Sequence, residues 1–333
     1  MTVTTDTLLS VRDLVKTFPG RPRRTGRPGA PIRAVDGVSF DVGKGETLGL
    51  VGESGCGKST TGRMIVRLLD PTSGTVTFEG TEIGGLSQAQ LRPHRRNLQM
   101  VFQDPYSSLN PRQTVARIVS EPLLIQGASA ADARERAGEL MELVGLTPEH
   151  LDRYPHEFSG GQAQRIGIAR SLATSPKLVI ADEPVSALDV SVQAQVVNLM
   201  ERLQQELGLA YVFIAHDLSV VKRVCDRVAV MYLGRIVEIG DKAEVYGNPA
   251  HPYTKALLSA VPLPDPAAER TRERIVLLGD PPSPANPPAG CTFHPRCPKA
   301  QESCRTERPL LQIVGPGGRQ AACHFPEVRG PGL

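Results

Sequence analysis

Three short apolar runs predict an α/β fold with buried parallel strands. They are residues 47–51, 177–181 and 209–215, and each has the length of a strand rather than of a helix. A helical pattern over residues 191–207 separates the second run from the third, as a strand–helix–strand unit requires. The full expectation is a mixed sheet with further strands at 8–18, 32–50, 75–78 and 227–232 and a helical subdomain at about 105–176.

A glycine-rich loop follows the first run. It fits the pattern G-x-x-x-x-G-K-[S/T], and a helical pattern from Thr60 to Leu69 comes next. Small residues let backbone N–H groups surround a polyphosphate, and the positive end of the next helix faces the same anion. Lys58 can then reach the β- and γ-phosphates of a nucleotide, and the Ser59 hydroxyl can bind Mg²⁺. The candidate nucleotide-binding residues of this loop are Gly52, Glu53, Ser54, Gly55, Cys56, Gly57, Lys58, Ser59 and Thr60.

The second apolar run ends in two carboxylates, Asp182 and Glu183. An acid at the end of a parallel strand beside a phosphate loop supplies a second anchor for the metal, which predicts that Asp182 binds Mg²⁺. Glu183 is predicted to orient or deprotonate an attacking water. His216 follows the third run, where a neutral imidazole could bond the γ-phosphate or hold the water. A purely structural histidine at that strand end remains an alternative.

The segment Ser159-Gly160-Gly161-Gln162 is by itself a helix N-terminus with a serine cap. Together with the loop and the acid pair, it resembles the signature motif of ABC transporter ATPases, whose motifs occur in the same order. Membership would imply that these four residues complete the ATP site of an opposite subunit. It would also give roles to three further residues. Gln103 would couple the presence of Mg²⁺ and γ-phosphate to the helical subdomain, and Asp189 would lie at the dimer seam. Phe18 would stack on adenine, with an apolar residue of an edge strand as the alternative.

Two further segments resemble the ATP-binding subunits of peptide and nickel importers, and in particular their second, F-type ATPase. These segments are residues 99–111 and 251–258, and a proline-rich tail with cysteines follows them. The resemblance implies ATP-driven import of di- or oligopeptides. Import of nickel or another small solute, export, and a soluble non-transport ATPase are the alternatives. Phe158 and Ala163 depart from the usual signature sequence. These two departures are expected to affect the packing of the signature helix more than its contact with phosphate.

Composition and resemblance together define the expected partners. The net charge of +3 and the absence of Trp give no case for nucleic-acid binding. No apolar run approaches the ~18–20 residues of a membrane span, and the N-terminus has no signal-peptide core. We therefore expect a peripheral protein on the cytoplasmic face of the cell membrane. The resemblance implies two transmembrane permease subunits, a second, non-identical ABC ATPase, and an extracytoplasmic solute-binding protein as an indirect partner.

A change of composition at Pro262 predicts an ATPase domain over 1–261 and a proline-rich extension over 262–333. Clustered cysteines in a cytosolic protein more often bind a metal group than form disulfides. The resemblance implies a [4Fe–4S] cluster here, while Zn²⁺, with help from His294 or His324, and free thiols remain alternatives. The cysteines of the extension are Cys291, Cys297, Cys304 and Cys323. A mobile loop rich in Arg, Gly and Pro is expected at 20–31.

Overall fold

The computed structural model describes residues 7–20, 29–262, 270, 274–315 and 317–327. The chain forms two compact units. One, here called the helical unit, comprises residues 7, 42–47 and 85–214. The other, the phosphate-loop unit, comprises the described residues of 8–41, 48–84 and 215–327. Most of the loop expected at 20–31 lies outside the described residues.

Among its described residues, the structure contains the predicted strands and adds five that the sequence did not predict, at residues 81–82, 98–101, 235–241, 312–313 and 320–321. The strands are, in chain order, β1 (Thr7–Gly20), β2 (Gly29–Gly43), β3 (Thr47–Val51), β4 (Ser73–Phe78), β5 (Thr81–Glu82), β6 (Leu98–Val101), β7 (Leu178–Asp182), β8 (Ala210–Ala215), β9 (Arg227–Tyr232), β10 (Arg235–Asp241), β11 (Gln312–Ile313) and β12 (Gln320–Ala321).

Four of the described helices lie between β6 and β7, in the region where the sequence predicts a helical subdomain. The helices are α1 (Lys58–Ile65), α2 (Gln88–Arg95), α3 (Pro105–Ser108), α4 (Val115–Ile125), α5 (Ala130–Leu143), α6 (Gly160–Leu172), α7 (Val190–Leu207), α8 (Leu218–Val224), α9 (Lys242–Gly247), α10 (Pro252–Ser259) and α11 (Glu302–Thr306), with 3₁₀ turns at Pro148–Asp152, Pro155–Glu157 and His294–Arg296.

In the helical unit, β6, β7 and β8 run parallel, with β7 in the middle. All five residues of β7 are buried, as are the six of β8. Helices α4, α5 and α6 pack on one another in the same unit. Each begins at a hydroxyl side chain that caps backbone N–H groups: Thr114, Ser129 and Ser159. Local capping therefore fixes where these helices start, and apolar burial holds them together.

The phosphate-loop unit has a mixed strand arrangement. β1, β2, β4 and β5 form a four-stranded sheet in the order β2–β1–β4–β5. β3 is parallel to β9, and β9 is antiparallel to β10. The end of the chain joins the same arrangement, because β12 pairs antiparallel with β10 at Glu238↔Ala321. The C-terminal segment that carries the cysteines is thus hydrogen-bonded to β10.

The helix after the glycine-rich loop differs from the expected Thr60–Leu69. It begins at Lys58, because Gly57 at its N-cap takes a left-handed conformation with φ of 106°. It ends at Ile65, and Arg67 then adopts a positive φ of 55°. A non-glycine residue in that conformation does not continue a right-handed helix.

Across the described ranges, no helix is both long enough and apolar enough to cross a membrane.

Candidate functional site

The glycine-rich loop between β3 and α1 is built around two glycines that no other residue could replace without strain. Gly52 has φ of 151°, and a Cβ there would lie 2.2 Å from the Met231 carbonyl oxygen. Gly57 has φ of 106°, and a Cβ there would lie 2.3 Å from the Ala34 carbonyl oxygen. The loop therefore packs backbone to backbone against its own unit, which fixes its curvature before any ligand arrives.

Lys58 is held inside this loop. Its side chain is buried, and Nζ donates to the carbonyl oxygens of Gly52, at 2.8 Å, and Glu53, at 3.1 Å. Cys56 is also buried, and burial raises the pKa of its thiol although the nearby Lys58 charge opposes the shift. The Cys56 carbonyl accepts the Gly234 N–H at 2.9 Å. The ammonium of Lys58 is thus hydrogen-bonded to loop carbonyls at the place where phosphate would bind.

Glu53 carries two contacts that sequence reasoning missed. Its backbone N–H donates to the Tyr253 hydroxyl at 3.0 Å. Its carboxylate accepts from Nη1 of Arg296 at 3.1 and 3.0 Å. Tyr253 lies in the 251–258 segment, whose sequence carries a family resemblance but no link to the loop, and no signal in the sequence points to Arg296. Both partners come from the C-terminal part of the phosphate-loop unit.

The acid pair lies where β7 ends, in the helical unit. Asp182 is the last residue of β7 and is almost fully buried. Glu183 follows with a positive φ of 48°, and its N–H donates to the Ile214 carbonyl oxygen at 2.9 Å. A non-glycine residue in this conformation carries strain, which structures commonly tolerate at functional positions. Gln103 Nε2 donates to Glu183 Oε2 at 2.9 Å, so two of the residues predicted from sequence are in direct contact.

The signature segment forms the first turn of α6. Ser159 caps the helix by accepting from the Gln162 N–H, while the Gln162 side chain accepts from the Ser159 N–H at 3.0 Å. The reciprocal pair satisfies two backbone donors that would otherwise be unpaired. A Cβ on Gly161 would lie 2.4 Å from Val192 Cγ1, whereas one on Gly160 would only touch Leu188 at 3.4 Å. Gly161 is thus required by the packing of α6 on α7.

The two departures from the usual signature both lie in the core. Phe158 is buried and packs edge-on against His150, with ring centroids 5.4 Å apart. Ala163 is fully buried. Tyr106 donates its hydroxyl to the Phe158 carbonyl oxygen at 2.7 Å, which links the segment after Gln103 to the residue before the signature. The departures therefore affect helix packing, as expected from the sequence.

The remaining predicted residues lie at the ends of elements. His216 is exposed and follows β8, and Asp189 is exposed at the N-cap of α7. Phe18 is half-buried near the end of β1, with Lys16 Nζ 5.3 Å from its ring centroid. By unit, the glycine-rich loop, Phe18 and His216 belong to the phosphate-loop unit, while Gln103, the acid pair, the signature and Asp189 belong to the helical unit.

The four cysteines of the extension line one small cavity, together with His294 and His324. All four are free thiols. Burial raises the pKa of Cys291, Cys297 and Cys323, the last to about 11. The structure thus gathers the predicted ligands. In the part of the chain that it describes, however, no group of three or more His, Cys, Asp or Glu side chains has the arrangement needed to hold a metal ion.

The fold and the site define an ATP-binding subunit of the ABC class. The family described as "ABC transporter" matches residues 35–186, and the family "Oligopeptide/dipeptide transporter, C-terminal region" matches residues 237–304. The oligopeptide transport ATP-binding protein AppF of Bacillus subtilis (strain 168) is 55% identical over 322 residues, which cover 96% of this chain and 98% of AppF. The chain therefore belongs to the ATP-binding proteins of ABC transporters, in the group with the oligopeptide/dipeptide C-terminal region.

Solved structures agree with this assignment. CbiO1 from Clostridium perfringens, part of the ABC transporter complex CbiONQ, superposes with a TM-score of 0.62 at 30% identity, covering 73% of this chain and 91% of CbiO1. The ATP-binding cassette MJ0796, solved as a dimer bound to ADP and Pi, gives a TM-score of 0.62 at 28% identity over 71% of this chain and 99% of MJ0796. The expected family and mixed α/β fold are confirmed. The chain is an ATPase of a class that binds ATP with Mg²⁺ and works with membrane permeases.

Proposed function

We propose that this chain is the ATP-hydrolysing subunit that powers import of di- or oligopeptides across the cytoplasmic membrane. The observation that carries the proposal is the order of the two family matches, ATPase at 35–186 and peptide-transporter C-terminal region at 237–304. AppF, an oligopeptide transport ATP-binding protein by name, aligns with this chain over 98% of its own length, which supports the same role here. Import of nickel or another small solute is the alternative, because the permeases and the binding protein select the cargo.

In this proposal the glycine-rich loop binds the ATP phosphates through its backbone, from Gly52 to Thr60. The ammonium group of Lys58 leaves the loop carbonyls and donates to oxygens of the β- and γ-phosphates instead. These oxygens replace the two acceptors that the lysine gives up. Ser59, Asp182 and Gln103 are the Mg²⁺ ligands or their water-mediated partners. Phe18 stacks on the adenine; its ring already has a cationic neighbour, with Lys16 Nζ 5.3 Å from the ring centroid.

Hydrolysis is assigned to the acid pair and His216. Glu183 orients or deprotonates the attacking water, and Gln103 supports this role because its amide already bonds the Glu183 carboxylate. His216 holds the γ-phosphate or the water in line. Lys58 balances the charge that develops on the transferred phosphoryl group, and a Mg²⁺ ion held by Ser59, Asp182 and Gln103 would add positive charge there.

The signature is proposed to act on the nucleotide of a second ATPase subunit. Ser159, Gly160 and Gly161 present the N-terminus of α6, whose N–H groups and dipole favour an anion. Asp189 would lie at the same seam. We infer a heteromeric pair, with two permease subunits anchoring it at the membrane and an extracytoplasmic binding protein delivering peptide to them.

The test is co-purification followed by reconstitution. A tagged chain is isolated from detergent-solubilised membranes, and the recovered partners are incorporated in liposomes with a radiolabelled tripeptide outside. The expected result is recovery of two polytopic proteins and a second ATPase, with ATP-dependent uptake that Lys58→Ala abolishes. Uptake of Ni²⁺ but not of peptide would show that the cargo is nickel rather than peptide. Recovery of ribosomal or DNA-bound proteins without any membrane partner would overturn the transport function.

We also propose that the four cysteines bind a metal group, [4Fe–4S] or Zn²⁺. Their shared cavity supports this proposal, although the thiols must rearrange to become ligands. Thiolates hold either group, and the resemblance favours the cluster. The test measures iron, acid-labile sulfide and zinc in anaerobically purified protein, with Cys304→Ser as the ligand variant and the unrelated Cys225→Ala as the control. About four irons per chain, lost only in Cys304→Ser, indicate the cluster; about one zinc indicates the alternative, and neither metal refutes both.

A further inference from the structure

Glu53 is restrained at three polar groups within the glycine-rich loop. Its backbone N–H donates to the Tyr253 hydroxyl at 3.0 Å, and its carbonyl accepts from Lys58 at 3.1 Å. Its carboxylate accepts both hydrogen bonds from Arg296. Each polar group of one loop residue thus has a defined partner, and two of these partners lie about 200 and 243 positions further along the chain.

The ion pair between Glu53 and Arg296 is well shielded. The Arg296 side chain is only 8% exposed and that of Glu53 27% exposed. Burial by itself lowers the pKa of an arginine, but the hydrogen bonds from Arg296, above all to Glu53, raise its pKa overall. The Arg296 guanidinium therefore remains protonated. A shielded charge pair holds its geometry better than an exposed one, because little solvent competes for it.

The segment that carries Arg296 is itself rigidly packed. Phe293 is 1% exposed, and its ring lies 5.3 Å from that of Tyr232 and 5.4 Å from that of Tyr253. The two tyrosine rings are 4.7 Å apart. Arg296 ends the 3₁₀ turn that begins directly after Phe293. An aromatic cluster therefore fixes both residues that hold Glu53, the arginine and the tyrosine, against one another.

We propose that Arg296 is a positioning residue for nucleotide binding, through which the segment Cys291–Cys297 of the extension sets the geometry of the glycine-rich loop. The proposal rests on the nucleotide-binding role of that loop proposed above. Lys58 must leave the Glu53 carbonyl when it moves to the phosphates. A Glu53 peptide held at its N–H and its carboxylate keeps the loop backbone in place during that exchange. Without Arg296, the loop must be ordered by ATP itself, which weakens binding.

The primary test compares Arg296→Gln with wild type in the full chain, measuring the Kd of a fluorescent ATP analogue with Mg²⁺ and the KM and kcat of the reconstituted complex. Preorganisation affects binding more than chemistry, so we expect Kd and KM to rise about fivefold while kcat changes less than about twofold. Arg296→Lys keeps the charge and should recover part of the loss. A purely structural role would lower the active fraction, and hence kcat, without a change in KM.

Glu53→Gln gives an independent approach from the loop side and leaves the extension untouched. It should raise Kd and KM as much as Arg296→Gln does. The double variant Glu53→Gln/Arg296→Gln should have a Kd no higher than that of either single variant. Effects that multiply in the double variant would show that the two residues act separately and would overturn the inference. So would unchanged Kd values in both single variants.

Two controls separate this inference from the proposed function. Arg305→Gln changes an exposed arginine of the same extension and should leave Kd and KM at the wild-type values. Lys58→Ala should abolish binding of the ATP analogue. If Lys58→Ala binds normally, the proposed nucleotide site itself is wrong. If Lys58→Ala fails to bind while Arg296→Gln binds like wild type, only the positioning role is wrong.

Discussion

The side-chain amide of Gln103 donates a hydrogen bond to the carboxylate of Glu183 over 2.9 Å. The two residues are 80 positions apart in the chain, and both were singled out from sequence for different reasons. Gln103 begins the segment that leads into α3, and Glu183 follows β7. Their contact joins the residue proposed to act on the attacking water to the segment that leads into α3.

This contact predicts different outcomes for substitutions at its two ends. Glu183→Gln removes the base but can still bond Gln103, so ATP should bind while hydrolysis slows at least ~10²-fold. Gln103→Ala leaves the carboxylate in place and should slow hydrolysis less. Single-turnover ATPase assays together with nucleotide affinity measurements give both values. Near-normal turnover in Glu183→Gln would remove Glu183 from the catalytic role.

The signature glycines offer a matched pair of stability variants. Gly161→Ala would place a Cβ 2.4 Å from Val192, so α6 must shift on α7, and we expect a loss of about 1–3 kcal/mol in the free energy of unfolding. Gly160→Ala meets Leu188 at 3.4 Å and should stay within about 0.5 kcal/mol of wild type. Urea unfolding of both proteins measures the difference. Equal stabilities would show that α6 is not tightly packed on α7.

The Tyr106 hydroxyl predicts a coupling variant. It donates to the Phe158 carbonyl at 2.7 Å and so ties the segment after Gln103 to the signature helix. Tyr106→Phe removes this single hydrogen bond, worth about 1 kcal/mol, while the ring remains. We expect the number of peptides imported per ATP hydrolysed to fall in proteoliposomes, with a smaller change in the ATPase rate itself. An unchanged ratio would mean that the hydroxyl has no part in coupling.

His251 predicts a pH dependence of stability. It is fully buried at the start of α10, where Nδ1 accepts the Tyr253 N–H at 3.1 Å, and burial lowers its pKa to about 3. The unfolded chain therefore binds a proton below pH 6.5 that the folded chain does not bind, so stability falls as the pH decreases from 6.5 towards 3. Between pH 6.5 and 5 this group should remove about 2 kcal/mol.

A variant isolates that contribution. His251→Asn retains an acceptor for the helix cap but does not titrate. The neighbouring Glu238, which accepts the His251 backbone N–H, has a pKa raised by burial and shifts stability in the opposite direction. Both proteins retain Glu238, so the difference between their melting temperatures across pH 5–7 reports His251 alone. Parallel curves for the two proteins would contradict the prediction.

Local sequence was sufficient for the elements that build the site. The spacing of Gly52, Gly57 and Lys58 defines the phosphate loop, because the glycines alone permit its backbone conformation. The run that ends at Asp182 is a buried strand because all of its residues are apolar up to the acid. Ser159 starts a helix because its hydroxyl caps one. The helix after the loop was placed too late by two residues, since the left-handed cap at Gly57 has no periodic signal.

Only the tertiary structure decided what surrounds these elements. Arg296 is 243 residues from Glu53, and neither periodicity nor a motif connects them. The contact exists because β12 pairs with β10 and because Phe293 packs between Tyr232 and Tyr253, which brings the extension beside the phosphate loop. Backbone conformation and helix capping depend on neighbours in sequence, so the local sequence encodes them. The partners of a buried charge depend on how distant segments fold together, and these become visible only in three dimensions.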